Sequence, residues 1–419
     1  MIPIRTGAAW LALASGLGLA LAAESSAEFI AYVSSLSEDS VMRLQDLNGD
    51  GDYNDAGEAT LFFGPGNAAG FPGVGSAQCL LALGFDDVLA GEGEESGAFE
   101  TRVYRLRDLN NDGDAMDPGE ATIYWDSILP SGANFDRPKE ITIGPDGALY
   151  LSDNNTINFD NDTPEAVWRL HDLNADGDVN DPGEVTIYRQ LSPVGEAFGF
   201  ISEDFKWLGD RLFFSNQDSS TNTGAVWIIE PGGGLTQFVD GMDLVGVSLR
   251  RTGMTLSAAG NPVFSAIDIF DIRRIVELID MDSSGMIESF AEARTLYRTD
   301  VAAEVFLWNP NNILDVDFAP DGALWQLELA ENRILRFADS NADGDYNDAG
   351  EVGEVYRANV AASNGGFAST FPRTVAFIAG GCRGDFNGDG VVNSADLGEL
   401  LGAWGVSGIA AAPTDLDGD

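Results

Sequence analysis

The chain has 419 residues, and its 22 Lys plus Arg against 68 Asp plus Glu give a net charge of −46. That charge repels nucleic-acid phosphates and anionic membrane surfaces, so metal cations are the natural counterions and no nucleic-acid partner is expected. Cys79 and Cys382 are the only cysteines and His171 the only histidine. This excludes a disulfide-rich scaffold and any cysteine zinc site, leaves room for one bridge at most, and nearly removes the commonest general base.

A hydrophobic content of 44% with 10% aromatics indicates a folded chain, and 50 glycines indicate many turns. Residues 1–22 read as an export signal: Arg5 precedes a small, apolar run from Ala8 to Ala22, and Ala20-Leu21-Ala22 fits signal-peptidase cleavage. The expected location is secreted or cell-surface. No stretch reaches the roughly 20 apolar residues of a spanning helix, so no membrane span is predicted.

Phe29-Ile-Ala-Tyr-Val-Ser34 alternates as a strand, and the first copy of an internal repeat follows it. Arg43-Leu-Gln-Asp-Leu-Asn-Gly-Asp-Gly-Asp-Tyr-Asn-Asp-Ala-Gly-Glu58 recurs at 105–120, 169–184 and 336–351, with a worn copy at 280–292. The first aspartates fall at 46, 108, 172, 280 and 339, steps of 62, 64, 108 and 59. The long step hides a sixth unit. Near its middle, Gly224-Ala-Val-Trp-Ile-Ile-Glu230 and Pro231-Gly-Gly-Gly-Leu-Thr-Gln-Phe238 predict the same strand pair joined by a short turn.

Each unit also carries a second hairpin. Ile141 to Ser152 and Val316 to Trp325 share a Pro-Asp-Gly turn, with looser versions at Phe205–Phe214 and Met254–Phe264. Two hairpins per unit give a four-stranded antiparallel blade, and six units give an all-β, six-bladed propeller over residues 26–380. The same strands could otherwise form a two-sheet sandwich or a β-solenoid. A propeller must close its ring. Phe371-Pro-Arg-Thr-Val-Ala-Phe-Ile378, a first strand without a second, is predicted to pair with Phe29–Ser34, a second strand without a first.

In every copy the closing glutamate stands twelve residues after the first aspartate. The candidate calcium ligands are Asp46, Asn48, Asp50, Asp52, Asp55 and Glu58; Asp108, Asn110, Asp112, Asp114, Asp117 and Glu120; and Asp172, Asn174, Asp176, Asp178, Asp181 and Glu184. Asp339, Asn341, Asp343, Asp345, Asp348 and Glu351 continue the series. The worn copy keeps Asp280, Asp282 and Glu292. Alternating hard oxygen donors around a glycine bend can converge on one ion, and without His or Cys they favour calcium over zinc or copper. The closing acid sits at position 13, not the EF-hand's 12, and a β-like segment follows it, so these read as calcium loops joining the outer strands of a blade. The competing reading is a set of polar turns that need no ion. His171, where other copies have Gln45 and Arg107, reads as a solvated side chain.

The tail, 382–419, changes pattern. Asp385, Asn387, Asp389, Val391 (through its carbonyl), Asn393 and Asp396 occupy EF-hand positions 1, 3, 5, 7, 9 and 12, with Gly390 at position 6. Leu397, Leu400, Leu401 and Trp404 then mark an amphipathic helix. This segment resembles one repeat of a type I dockerin, and Asp415-Leu-Asp-Gly-Asp419 begins a second. The resemblance implies a cohesin-like or cell-surface partner in a polysaccharide-associated assembly; a calcium-stabilised cap is the alternative.

The blade pattern, with its Pro-Asp-Gly-x-Leu-Tyr/Trp turn, resembles six-bladed propellers of the NHL, gluconolactonase and TolB-like group. That resemblance implies an alternative function, a calcium-dependent lactonase, phosphoesterase or polysaccharide-degrading hydrolase with an ion in the central channel. Glu140, Asp153, Asn154, Asn216 and Asp317 would then be its ligands. No P-loop, nucleophile elbow or His-Glu-x-x-His occurs, so the residues favour a non-enzymatic calcium-binding protein with a glycan or protein ligand on its loop-built face.

Overall fold

The computed structural model describes residues 29–379 apart from 76, 94–100, 130–137, 154–165, 192–200, 219–222, 241–246, 249–252, 269–271 and 308–312. The export segment and the tail lie outside the described residues. Blade 1 opens with β1 (Phe29–Ser35), β2 (Ser40–Leu44) and β3 (Ala59–Phe63). Blade 2 is β4 (Cys79–Gly84), β5 (Asp87–Gly91), β6 (Arg102–Arg107) and β7 (Ala121–Asp126). Blade 3 follows as β8 (Pro138–Ile143), β9 (Leu149–Asp153), β10 (Ala166–Leu170) and β11 (Val185–Gln190). In blade 4, β12 (Ile201–Leu208), β13 (Arg211–Asp218), β14 (Thr223–Ile229) and β15 (Leu235–Asp240) pair in order.

The inner position of blade 5 is split between β16 (Val247–Ser248) and β17 (Met254–Leu256), both paired with β18 (Pro262–Asp268). β19 (Arg273–Leu278) and β20 (Ala293–Arg298) complete it. Blade 6 is β21 (Ile313–Phe318), β22 (Leu324–Glu328), β23 (Arg333–Phe337) and β24 (Val352–Arg357). A short helix α1 (Ala358–Ser363) then leads to β25 (Pro372–Ala379). All six sheets are antiparallel, as the repeat predicts.

Closure is as expected: β25 pairs antiparallel with β1, matching Ile30 with Ile378 and Val33 with Val375. The first-born strand of blade 1 is therefore its second strand in space, and the ring is sealed by backbone bonds between the two ends of the fold. The crossing segment is also pinned, by Phe367 N–H donating to the Ala59 carbonyl and the Tyr356 hydroxyl donating to the Phe367 carbonyl.

Blades stack face to face, so strands near the middle of each sheet are covered on both sides. β1, β9 and β22 are buried along their whole length. Outer strands see solvent on one side, and β7, β20 and β24 show mixed burial. Six apolar clusters fill the spaces between blades.

The Pro-Asp-Gly turns have a definite task. Asp146 accepts the Ala148 amide and the Arg169 Nε at 2.8 Å, while Asp321 accepts the Ala323 amide and the Arg336 Nη2 at 2.8 Å. Each inner turn is thereby tied to the arginine that opens the acidic repeat of its own blade.

Candidate metal centres and the axial cluster

The acidic segments join the third and fourth strands of blades 1, 2, 3, 5 and 6, as expected, whereas blade 4 uses the Glu230–Gly234 turn. The loops share one internal wiring. The first aspartate caps backbone amides at positions 4 to 6: Asp46 accepts Gly49 and Gly51, Asp108 accepts Asn111 and Gly113, Asp172 accepts Ala175 and Gly177. Asp280 and Asp339 do the same for Gly285 and Gly344. The position-6 glycines have φ between 86° and 100°, a left-handed bend that a Cβ would strain.

The closing glutamates are buried, Glu58, Glu120, Glu184, Glu292 and Glu351 alike. Each accepts the amide of position 2, as Glu120 does from Leu109 at 3.0 Å and Glu184 from Leu173 at 2.9 Å. Burial raises the Glu58 and Asp114 carboxyls above their ordinary range. Between these fixed ends, Asn48, Asn110, Asn174 and Asn341 each donate Nδ2 to the position-10 aspartate, at 2.6–2.8 Å. Amide dipoles thus gather acids that would otherwise repel. In two loops the acids converge further: single carboxylate oxygens of Asp339, Asp343 and Glu351, and of Asp280, Asp282 and Glu292, lie within 4.8 Å of one another. The worn copy therefore keeps a convergent donor set although Ser284 and Met286 replace two acids. A hard, oxygen-only donor set at this spacing fits a calcium ion.

The loops also do something that the sequence did not announce. The residue at position 8 is apolar and buried in every copy: Tyr53, Ala115, Val179, Ile287 and Tyr346. Its backbone amide crosses to the outer strand of the preceding blade. Tyr53 N–H donates to the Val355 carbonyl, Ala115 to Phe62, Val179 to Tyr124, Ile287 to Phe238 and Tyr346 to Leu296, at 2.6–2.9 Å.

Each acceptor is the unpaired residue of a β-bulge, whose carbonyl is free of the ladder. Position 9 often adds a second bond: the Oδ1 atoms of Asn54, Asn180 and Asn347 accept the amides of Arg357, Asp126 and Arg298. Every acidic loop is therefore a clasp onto its neighbour. Tyr53 also packs edge-on against Trp325, with ring centroids 5.3 Å apart. Tyr53→Ala is expected to lower stability by about 3 kcal/mol, measured by urea unfolding, because it keeps the amide bond of the clasp but removes the buried ring that packs on Trp325 between blade 1 and blade 6.

A second group lies where the inner strands meet. Lys206 on β12 places Nζ 3.2 Å from Glu140 on β8, 3.2 Å from Asp317 on β21 and 4.0 Å from Asp204 on its own strand. The Thr255 hydroxyl on β17 donates to Asp317 at 2.6 Å, the Met254 amide to Asp204 at 2.8 Å, and the Thr374 hydroxyl on β25 to Asp315 at 2.9 Å. Five blades thus contribute to one network. Burial raises Glu140 to about 8 and Asp315 to about 6, and it raises Asp204 well above the usual carboxylate range. Burial pulls Lys206 down, but Asp317, Glu140, Asp204 and Asp315 overcome it and hold the ammonium well above its ordinary pKa. A lysine so held cannot serve as a neutral base or nucleophile near neutral pH.

Among the described side chains, the channel candidates Glu140 and Asp317 come together, and they meet on an ammonium. Asp153 is buried at the end of β9, Asn216 lies on β13, and Asn154 is outside the described residues. Sequence reasoning missed Asp204, Lys206 and Asp315. Their signal was a charge on alternate residues of an inner strand, around buried Phe205 and Val316.

Raised carboxyls tie stability to pH. Glu140 is protonated in the folded chain up to about 8 but ionises near its ordinary value when unfolded, so its contribution is complete at low pH and lost as pH rises through 8. Relative to wild type, Glu140→Gln should therefore gain stability from pH 5 to pH 8, by up to roughly 1 kcal/mol per pH unit, and level off above that. Urea midpoints that shift in parallel would contradict this. His171 is partly buried, its Nδ1 lying 2.7 Å from the Arg169 Nη2. Cys79 is buried with a free thiol, and Cys382 is outside the described residues.

No family model and no curated protein sequence matches the chain. Among solved structures it is similar to virginiamycin B lyase from Staphylococcus aureus, at 16% identity and a TM-score of 0.39 over 80% of this chain and 85% of that one. It is also similar to a Bacteroides caccae protein of unknown function, at 11% identity and a TM-score of 0.45 over 84% of this chain and all of the other. The likeness is one of fold. No helix among the described residues is long and apolar enough to cross a membrane.

Proposed function

We propose that the protein is a secreted, calcium-held β-propeller that acts as an extracellular binding or structural protein. The observation that carries this reading is the double role of each acidic loop, which pairs an oxygen-only donor set with a clasp onto the preceding blade. An ion bound there would neutralise the crowded acids and stiffen the segment that joins two blades. The loop-built faces would carry a glycan or protein ligand, and the dockerin-like tail would attach the ring to a cohesin-like or cell-surface partner.

The hydrolase alternative needs a cation in the channel. The Lys206 ammonium already sits between Glu140 and Asp317, and this favours a structural network. The test is a calcium titration followed calorimetrically on chelator-stripped protein. Saturable binding of several ions per chain, abolished loop by loop in Asp→Asn variants such as Asp112→Asn, is expected. An absence of saturable binding would refute the reading.

A further inference from the structure

Strand register sets the inner strands at a common level. In blades 1, 2, 3 and 6 the arginine that opens the acidic repeat pairs through the second strand with Ala376, Leu81, Thr142 and Asp317 in turn. In blades 4 and 5 the same level falls on Lys206 and Thr255, opposite Ile228 and Glu277. Lys206 is the cation of this level, and it comes from the blade that has no acidic loop. Glu140, Asp204 and Asp315 stand two residues before Thr142, Lys206 and Asp317, on the same face of their strands.

The choice of lysine carries information. The chain has 20 arginines but two lysines, Lys139 and Lys206. Where one carboxylate is met edge-on, a guanidinium fork meets it, as Arg105 does Asp87 and Arg211 does Glu230. Around Lys206 the acids arrive from β8, β12 and β21. A planar fork cannot face three directions, whereas an ammonium with three tetrahedral donors can.

The spacing also distinguishes an ammonium from a metal. Nζ stands 3.2 Å from Glu140, 3.2 Å from Asp317 and 4.0 Å from Asp204. Calcium instead draws roughly six to eight oxygens to about 2.3–2.6 Å. The acids are pinned at the wider spacing: Thr255 and the Phe318 amide hold the second oxygen of Asp317, and the Met254 amide holds that of Asp204. Among the described residues, trios of acids gathered within 4.8 Å belong to the loops at 280–292 and 339–351, and the axial acids form no such trio.

We propose that the Lys206 ammonium is the channel's own cation, taking the place of the channel ion that the resemblance to gluconolactonase-like propellers implies. The site is built for an alkylammonium and does not take calcium. The proposal is independent of the calcium reading of the loops, which concerns other residues.

The test removes the tethered cation and offers a free one. Lys206→Ala deletes three carbons and the ammonium, and propylammonium restores those atoms. With calcium held constant, propylammonium chloride should raise the urea midpoint of Lys206→Ala saturably, recovering on the order of half of the loss, and leave wild type unchanged. Sodium chloride and tetramethylammonium chloride at the same concentration should not, since neither cation offers an N–H donor. A tenfold increase in calcium should not either. Absence of a saturable propylammonium effect, or equal rescue by calcium, would overturn the proposal.

A second measurement needs no Lys206→Ala protein. Ions bound per chain, counted by calorimetric titration, should be the same in wild type and Asp317→Asn. One ion fewer in Asp317→Asn would place a metal at the axis and overturn the proposal. Failure of the loops to bind calcium would lower both counts alike and leave it standing.

Discussion

Substituting Lys206 by methionine is expected to destabilise the ring by about 3–5 kcal/mol at pH 8, and by much less at pH 5. The side chain keeps its length and apolar stem, so packing is largely preserved. What disappears is the single ammonium that faces Glu140, Asp204 and Asp317 within 4.0 Å. Removing one partner of a buried charge network leaves the others facing one another in a medium that screens poorly. At low pH the raised carboxyls of Glu140, Asp204 and Asp315 take up protons, and the repulsion fades. Urea unfolding at the two pH values measures both effects. A loss of equal size at pH 5 and pH 8 would show that Lys206 acts through packing and not through charge.

The blades were legible in the sequence because each repeats a pattern set by local physics: alternation for strands, Pro-Asp-Gly for the inner turn, and Asp/Asn/Gly for the outer loop. Even closure could be read, from the unmatched strands at 29–34 and 371–378. The clasps could not. Their bonds run from a backbone amide to the carbonyl of a bulge residue in another blade, and neither partner has a side-chain signature. Nothing in the identity of Tyr53 or Val179 marks the amides that reach Val355 and Tyr124.

The axial cluster was half legible. Glu140 and Asp317 are legible as acids on inner strands, but a resemblance to metal-bearing channels implies further oxygen donors and not Lys206. The alternation of Asp204 with Lys206, and of Asp315 with Asp317, was the available signal. It places four ionisable groups on the channel side of strands whose other face is core.

Stripping calcium should be the largest perturbation of all. Each site filled at one hundred times its Kd adds about 2.7 kcal/mol, so four such loops together add roughly 10 kcal/mol, comparable with the whole stability of an ordinary domain. The effect should be amplified by position, since every loop ties one blade to the next and its loosening weakens a junction as well as a turn. Adding chelator is therefore expected to lower the melting temperature by roughly 20 °C, and calcium should restore it. Magnesium prefers a smaller, more rigid octahedral site and should restore much less. Sodium chloride at matched ionic strength separates site binding from general screening of the −46 charge. If salt alone restores the melt, the loops are polar turns that carry charge without an ion. If calcium alone restores it, proteolysis of the stripped chain should first cut at the loops, where five clasps would have lost the ion that holds their acids together.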